Sequence, residues 1–383
     1  MTITYHSLGR SYLDPVELPQ MLRKEEGHVP GIYDDLSENH LATIGIGVNV
    51  TLKPYMALVL RKLGVFEADD TREAAARIAA GKPAETNGQR NQRYARIVND
   101  FESVIASYPL SRTQNEIAGT SNSEIALQNA LNTKLHSYFA VATLPSPNAF
   151  EIDEATAKVI KTEIILGFSI GSFVDKGKQA NLDKVLQDNG TAIGHDTAEY
   201  KALMSLYFNA ETLIGEGLLR ALEHGNRAEA WFEIRFRSNI EKEPGIAKRR
   251  YYESQVFGVY EPTTNVTSED AKQIYRMLNL HRDEILKYEK KYGGQIGLAN
   301  SDYGLSDGQR VQSVLELLSL AKESLIDDLK STYPTLSNLS MDDYSSLDIY
   351  LDPGRDTSKD PVRENHSSFL NAVEYNAEGV EIV

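Results

Sequence analysis

The most restrictive feature of this chain is a pattern that changes from helical spacing to strand alternation within residues 14–50. Asp14 and Glu17 have the spacing of a capping box, and Pro15 suits the first helical position. Gly27 is the type of residue that ends a helix. Between these ends, apolar residues recur at helical spacing, at Leu18, Met21 and Leu22. We therefore expect a short helix that stops at Gly27.

Strand-like alternation follows between residues 33 and 50. Turn-forming residues come first, and apolar residues then alternate with glycines, at Ile44, Ile46 and Val48. We expect a small sheet of two or three strands here, and little other strand before the C-terminal region.

This segment carries two acidic pairs with the same nine-residue offset, Glu25 with Asp34 and Glu26 with Asp35. Hydrolysis of a glycosidic bond needs one carboxylic acid that stays protonated and one carboxylate that orients or deprotonates water. Burial at a helix end beside a second negative charge favours the protonated form, whereas a polar loop keeps a carboxylate ionised. The Thr43 hydroxyl can donate and accept at once, which suits holding a water. A separation of about 6.5–9.5 Å between the two carboxyl groups indicates inversion at the anomeric carbon. A separation of about 5–5.5 Å indicates a covalent intermediate, and the sequence leaves both mechanisms open.

The rest of the chain is mostly helical by its hydrophobic spacing, which predicts the α+β class. Asp70 and Asp153 are the expected N-caps of two helices. Breaks are expected at 144–150 and 185–196, and strand-like patches lie at 347–351 and 380–383. The helices are predicted near residues 54–64, 70–81, 88–107, 122–138, 152–166, 197–208, 210–224, 227–238, 245–257, 268–292 and 307–332.

Composition restricts the function classes. The 383 residues are 41% hydrophobic and 25% charged, as in soluble globular proteins. A net charge of −15 disfavours nucleic acid as a partner, because phosphate binding needs a basic surface. Without cysteine, and with eight scattered histidines, we expect no metal and no other cofactor. No apolar run reaches the length of a membrane span. The start of the chain lacks the pattern of a secretory signal, so we expect synthesis in the cytoplasm without a secretory signal.

Three motifs together resemble the catalytic segment of phage-type lysozymes, glycoside hydrolase family 24. They are Leu-Arg-Lys-Glu-Glu-Gly at 22–27, Ile-Tyr-Asp-Asp at 32–35 and Thr-Ile-Gly-Ile-Gly at 43–47. Their order and spacing match, although the loop before Thr43 is slightly longer and Val48 stands where the family commonly has histidine. Further segments resemble the C-terminal lobe of the same family, at 202–209, 218–222, 227–231 and 245–253.

The resemblance implies a role for four residues. Glu26 would be the general acid, which the family places directly before the glycine, Asp35 the second carboxylate, and Thr43 the group that helps to hold the attacking water. Asn209 would fall on an amide position that lines the cleft and binds substrate. The implied reaction is hydrolysis of the β-1,4 bond between N-acetylmuramic acid and N-acetylglucosamine in bacterial peptidoglycan, without a cofactor.

The resemblance also implies a lysozyme-like fold of two lobes with a cleft between them. Residues 1–65 would form the small N-terminal catalytic lobe with its hairpin, and 197–262 the C-terminal lobe. Residues 66–196 would be a helical insert between the lobes, and 263–383 an additional, mostly helical domain. Trp231 is expected in the C-terminal core. Basic residues are expected either on a solvated helix pair or on a basic cleft wall, namely Arg235, Arg237, Lys248, Arg249 and Arg250.

Two alternatives and the route of delivery stay open. A non-catalytic lysozyme-like module of a phage or secretion assembly would bind peptidoglycan without either carboxylate, and a lytic transglycosylase would use Glu26 alone. An enzyme without a secretory signal would reach the periplasm or cell wall as an endolysin released through a holin pore, as a bacteriocin or as an injected effector. A delivery apparatus or an immunity protein is then a further partner.

Overall fold

The computed structural model describes residues 3–14, 16–36, 39–140, 145–238, 244–262 and 266–292. The chain divides into two compact units. The N-terminal unit is Leu13–Asp183, and the C-terminal unit combines the described residues of Met1–Tyr12 with those of Lys184–Val383. The beginning of the chain therefore folds with its far half.

The N-terminal unit is a group of helices with a small antiparallel sheet. Its helices are α1 (Leu18–Glu26), α2 (Lys53–Lys62), α3 (Val65–Ala79), α4 (Asn87–Ser107), α5 (Asn122–Phe139) and α6 (Glu154–Leu166). The three-stranded sheet contains β1 (Val29–Asp34), β2 (Ala42–Gly45) and β3 (Val48–Asn49), and a separate hairpin contains β4 (Phe168–Ile170) and β5 (Phe173–Asp175). In the sequence, α7 (Lys178–Asp188) spans the boundary of the two units.

Helix α2 is at the centre of the N-terminal unit because it is apolar on every side. Residues 56–60 are all buried, so the helix must be covered all round. It packs against α3, α4, α6, β3 and β5. Helices α3 and α4 are also joined by the Arg93 guanidinium, which pairs with Asp69, Asp70 and Glu85.

Helix α1 begins later than predicted. It starts at Leu18, and Asp14 instead accepts a hydrogen bond from the backbone N–H of Val16 in the preceding turn. The predicted capping box is therefore wrong, while the predicted position of Pro15 lies outside the described residues. The other end is confirmed: the chain leaves the helix at Gly27, with a φ of 74°.

The three-stranded sheet aligns polar residues in one row. Tyr33 on β1 is opposite Thr43 on β2, which is in turn opposite Asn49 on β3. Directly opposed residues of antiparallel strands present their side chains on the same face. The adjacent row therefore lies on the other face, and it is apolar and buried: Ile32, Ile44 and Val48.

The C-terminal unit is helical in its described residues. Its elements are α8 (Ala198–Asn209), a 3-10 turn (Glu211–Leu213), α9 (Glu216–Glu223), α10 (Arg227–Phe232), a π-helical turn (Glu233–Arg237), α11 (Pro244–Phe257) and α12 (Ser268–Tyr292). The start of the chain joins this unit through a β-bridge between Ser7 and Thr197. Buried Glu199 strengthens the junction, because it accepts hydrogen bonds from the backbone N–H of His6 and from Arg227.

Three arginines predicted on the surface are buried in the C-terminal unit. Arg249 and Arg250 both pair with buried Glu253. Arg235 lies over the ring of Trp231, 4.3 Å from its centroid. Both predicted locations, a solvated helix pair and a basic cleft wall, are wrong for these three residues. Their guanidinium groups are paired with a carboxylate or stacked on a ring inside the unit. The buried position predicted for Trp231 is confirmed.

The predicted secondary structure is largely confirmed, with some differences. Asp153 caps α6 as predicted and accepts the N–H of Thr156. Asp70 is not a cap, because α3 already begins at Val65. Helix α7 and the β4–β5 hairpin were not predicted. The patterns at 307–332, 347–351 and 380–383 lie outside the described residues.

The fold class is α+β, with many helices and a small antiparallel sheet, as predicted. The predicted boundaries after residues 65, 196 and 262 stay predictions. The N-terminal unit holds the described residues of 13–65 together with most of 66–196, and α12 packs against α10 in the C-terminal unit. Of the helices that are described, none combines the length and the apolar character needed to cross a membrane.

We expect Glu253→Gln to lower the free energy of unfolding by about 3–5 kcal/mol, because two buried guanidinium groups lose their carboxylate. Glu216→Gln is the control, since its exposed pair with Arg220 contributes only about 0.3–0.5 kcal/mol. Urea unfolding followed by the fluorescence of the single tryptophan, Trp231, reports on this unit. Equal losses in the two variants would contradict the stabilising role of the buried cluster.

Candidate functional site

Glu26 ends α1 with its carboxylate beside a buried lysine. Oε2 of Glu26 lies 3.1 Å from Nζ of Lys161, which comes from α6. The Lys161 side chain is 1% exposed and the Glu26 side chain 17%. The pair is therefore largely removed from water, where opposite charges attract more strongly than at a surface.

Two further polar contacts join α1 and α6, from residues that precede Glu26 on α1 and Lys161 on α6. Nε of Arg23 lies 3.2 Å from Oε2 of Glu154, and Lys158 donates a hydrogen bond to the side-chain oxygen of Gln20 at 3.1 Å. These side chains are partly exposed, so each contact contributes modestly to stability. Together they fix the helix pair that carries Glu26 and its partner.

The turn between β2 and β3 completes the surroundings of Glu26. Nζ of Lys161 also donates a hydrogen bond to the carbonyl oxygen of Gly47, at 3.4 Å. Gly47 has a φ of 61°, and a Cβ at this position would overlap the Glu26 carboxylate. Glycine is therefore required both by the backbone and by the acid that lies over it.

Tyr33 connects strand β1 to the Gly47 turn. Its hydroxyl oxygen accepts a hydrogen bond from the N–H of Gly47 at 3.1 Å. Burial raises the pKa of the Tyr33 phenol far above its ordinary value, and the negative charges of Glu26 and, more weakly, Asp35 raise it further. The phenol therefore stays protonated at physiological pH.

Asp35 and Thr43 are connected through the backbone of Leu41. Asp35 is exposed directly after β1, and its Oδ1 accepts the N–H of Leu41 at 3.0 Å. The carbonyl oxygen of Leu41 accepts the N–H of Asp35 at 3.3 Å and the Thr43 hydroxyl at 3.2 Å. The second carboxylate and the hydroxyl are therefore held by the same short segment, with Thr43 opposite Tyr33 in the sheet.

Asp34 has a structural role that distinguishes it from Asp35. Its buried carboxylate accepts the backbone N–H groups of Leu36 and Arg112 at 2.9 and 3.0 Å and lies 2.7 Å from Nδ1 of His40. Leu36 and His40 have φ values of 59° and 47°, which are unfavourable for residues other than glycine. Asp34 therefore compensates for a strained backbone on both sides of the loop that carries Asp35.

The two acidic pairs left open by the sequence differ in their surroundings. Asp34 is occupied inside the protein, whereas Asp35 reaches solvent. Glu26, rather than half-buried Glu25, forms the ion pair with Lys161. These observations favour Glu26 and Asp35 as the pair available for chemistry.

Asn209 belongs to the other unit. It ends α8 in the C-terminal unit, and its side-chain oxygen accepts a hydrogen bond from Arg250. Glu26, Asp35 and Thr43 all lie in the N-terminal unit. Its predicted contact with substrate stays a prediction.

Sequence reasoning missed Lys161 and Tyr33. Lys161 lies on the apolar face of α6, at helical spacing from the buried Ala157 and Ile164, and this position is the local signal of its role. Tyr33 was visible as part of the second motif, but its contact with the Gly47 turn depends on the register of the sheet. In the described part of the chain, no group of three or more His, Asp or Glu side chains could hold a metal ion.

No family model, curated protein or solved structure matches this chain. The resemblance to phage-type lysozymes therefore depends on the motifs in the sequence alone.

We expect Gly47→Ala to lower the free energy of unfolding more than Gly81→Ala. The two glycines have φ values of 61° and 62°, but the added methyl group at Gly81 would meet nothing within 4 Å. The backbone cost of about 1–2 kcal/mol is common to both. Displacement of Glu26 from Lys161 should add at least about 2 kcal/mol at Gly47. Urea unfolding followed by circular dichroism measures the difference, and equal losses would contradict the close contact of Gly47 with Glu26.

Proposed function

We propose that this protein is a peptidoglycan hydrolase, a muramidase that uses Glu26 as general acid, Asp35 as second carboxylate and Thr43 as a ligand of the attacking water. The observation that carries the proposal is a connected series of contacts. The Glu26 carboxylate lies over Gly47, whose N–H donates to Tyr33; Tyr33 is opposite Thr43, and Leu41 holds both Thr43 and Asp35. Glycosidic hydrolysis requires two carboxyl groups with different roles, and these two have unlike surroundings.

The environment of each carboxylate supports a different role. Glu26 is mostly buried at the end of a helix, with its orientation fixed by Lys161 and by the Gly47 turn. A fixed carboxyl group is suited to delivering a proton to the leaving oxygen of the sugar. Asp35 is exposed, where a carboxylate can orient or deprotonate water.

Thr43 supports the placement of that water. Its hydroxyl donates to the carbonyl oxygen of Leu41, which leaves its lone pairs free to accept a hydrogen bond. The Asp35 carboxylate accepts a hydrogen bond from the N–H of Leu41. A water bound between the Asp35 carboxylate and the Thr43 hydroxyl would lie next to a base. Inversion and retention both stay open, because they depend on the distance between the two carboxyl groups.

The substrate comes from the resemblance to phage-type lysozymes. That family implies the β-1,4 bond between N-acetylmuramic acid and N-acetylglucosamine, and Asn209 as a substrate-binding amide in a cleft between two lobes. The site itself contains nothing that separates peptidoglycan from chitin. Action in the periplasm or cell wall, after release or injection, is part of the same proposal, as is an immunity protein or delivery apparatus as a partner.

A non-catalytic peptidoglycan-binding module is the second candidate, and one observation favours it. A general acid must carry a proton when the bond breaks, whereas Glu26 lies beside the ammonium of Lys161, which attracts the ionised carboxylate. Such a pair is also what a purely structural glutamate would form. A binding module would retain it without releasing any product from peptidoglycan.

We expect Glu26→Gln to lower the rate of reducing-end release from purified sacculi by about 100-fold or more, because the leaving oxygen loses its proton donor. Glu25→Gln is the matched control, since it makes the same change one residue earlier, and it should retain the wild-type rate. Binding of both variants to insoluble peptidoglycan should be unchanged. Full activity of Glu26→Gln would refute the assignment of the acid, and a wild-type protein that binds without releasing product would support the binding module.

We expect Asp35→Ala to be nearly as damaging, because the attacking water then lacks its base. Release of soluble muropeptides from sacculi, analysed by mass spectrometry, measures the effect, and circular dichroism controls for folding. Unchanged turnover of Asp35→Ala with products that end in an anhydro sugar would indicate a lytic transglycosylase that uses Glu26 alone.

A further inference from the structure

We propose that Lys161 is a positioning residue for the general acid, and that its ammonium stabilises the Glu26 carboxylate as the proton leaves it. This inference rests on the proposed function, because it assigns a partner to the acid of that reaction. Lys161 lies 135 residues from Glu26 in the sequence and in the part of the chain predicted to be an insert. None of the three lysozyme-like motifs contains it.

The position of Lys161 in α6 is unusual for a lysine. Its neighbours on the helix, Ala157, Ile160 and Ile164, are buried in the core of the N-terminal unit. A lysine is rarely enclosed to this extent unless it is paired. The ammonium donates hydrogen bonds to Oε2 of Glu26 and to the carbonyl oxygen of Gly47.

One nitrogen therefore holds two parts of the site. The pair with Glu26 fixes the end of α1, and the hydrogen bond to Gly47 fixes the turn that also donates to Tyr33. Removing a buried charge from such a pair leaves its partner uncompensated. Lys161 is thus placed to orient the Glu26 carboxyl group relative to β2, the strand that carries Thr43.

The charge of Lys161 also acts on the proton transfer. When Glu26 gives its proton to the leaving oxygen, it becomes a carboxylate, and the nearby ammonium stabilises this charge as it develops. Loss of the positive charge should therefore slow the bond-breaking step.

Other charged or titratable groups near Glu26 are known from the elements packed around it. Helix α6 contributes Lys158 and Glu154. Strand β1 contributes Tyr33, and the loop that follows β1 contributes Asp35. Arg23 and Lys24 lie on α1 itself. Lys158 is the natural comparison, because it lies on the same helix and contacts α1 through Gln20, but pairs with Glu154.

The test compares Lys161→Met with Lys158→Met on soluble, uncrosslinked glycan strands of peptidoglycan. For Lys161→Met we expect kcat to fall roughly 10- to 100-fold with little change in KM. Lys158→Met should retain the wild-type rate. Lys161→Arg keeps the charge beside Glu26 and should restore most of the lost rate.

Several results would overturn the inference. An unchanged kcat for Lys161→Met, equal losses of kcat in both methionine variants, or no rescue by Lys161→Arg would mean that Lys161 does not position the acid. If the wild-type protein releases no product, the proposed function fails, and the 13C chemical shift of the Glu26 carboxyl at constant pH, assigned with Glu26→Gln, still tests the contact. That chemical shift should change in Lys161→Met and stay the same in Lys158→Met, and an unchanged value in Lys161→Met would overturn the inference independently of activity.

Discussion

A lysine ammonium enclosed by apolar residues needs an anion beside it, because an isolated charge inside a protein is strongly unfavourable. Lys161 meets this requirement with the carboxylate of Glu26 and the carbonyl oxygen of Gly47. A helix end, a β-turn and the core helix α6 are thereby joined at one nitrogen. The orientation of the candidate acid is consequently set by the core of the N-terminal unit. An exposed glutamate at a helix end would have no such constraint.

The second half of the site depends on two adjacent aspartates with separate tasks. Asp34 is buried and keeps the strained residues Leu36 and His40 in place, while Asp35 is exposed and is held by the backbone of Leu41. Backbone strain is commonly found where a protein must hold a side chain in a particular place. A buried residue that stabilises the loop and an exposed neighbour that faces solvent are consistent with a site built for a ligand.

The sequence predicted those parts of the fold that depend on local signals. The α1 helix stop at Gly27, the hairpin after Thr43 and the Asp153 cap are each encoded within a few residues. The start of α3 was missed because Val65, Phe66 and Ala68 are buried, so that tertiary packing extends the helix beyond the polar residues that resemble a cap.

Contacts between distant residues could not be predicted in the same way. The pairing of Glu26 with Lys161 depends on the packing of α1 against α6, which no local pattern encodes. The arginines of α11 were misassigned for a similar reason. A helix with alternating charges looks the same on a surface as in a core, and only the approach of Ser205 on α8 and the burial of Glu253 reveal the difference.

The proposed function is tested most directly by whether purified peptidoglycan sacculi are cleaved and at which bond, which mass spectrometry of any soluble fragments measures. Water attack assisted by Glu26 and Asp35 predicts soluble muropeptides that end in a reducing N-acetylmuramic acid. Fragments that end in an anhydro sugar would contradict the role of Asp35 and its water. Sacculi that stay intact would contradict the assignment of this protein as an enzyme of the cell wall.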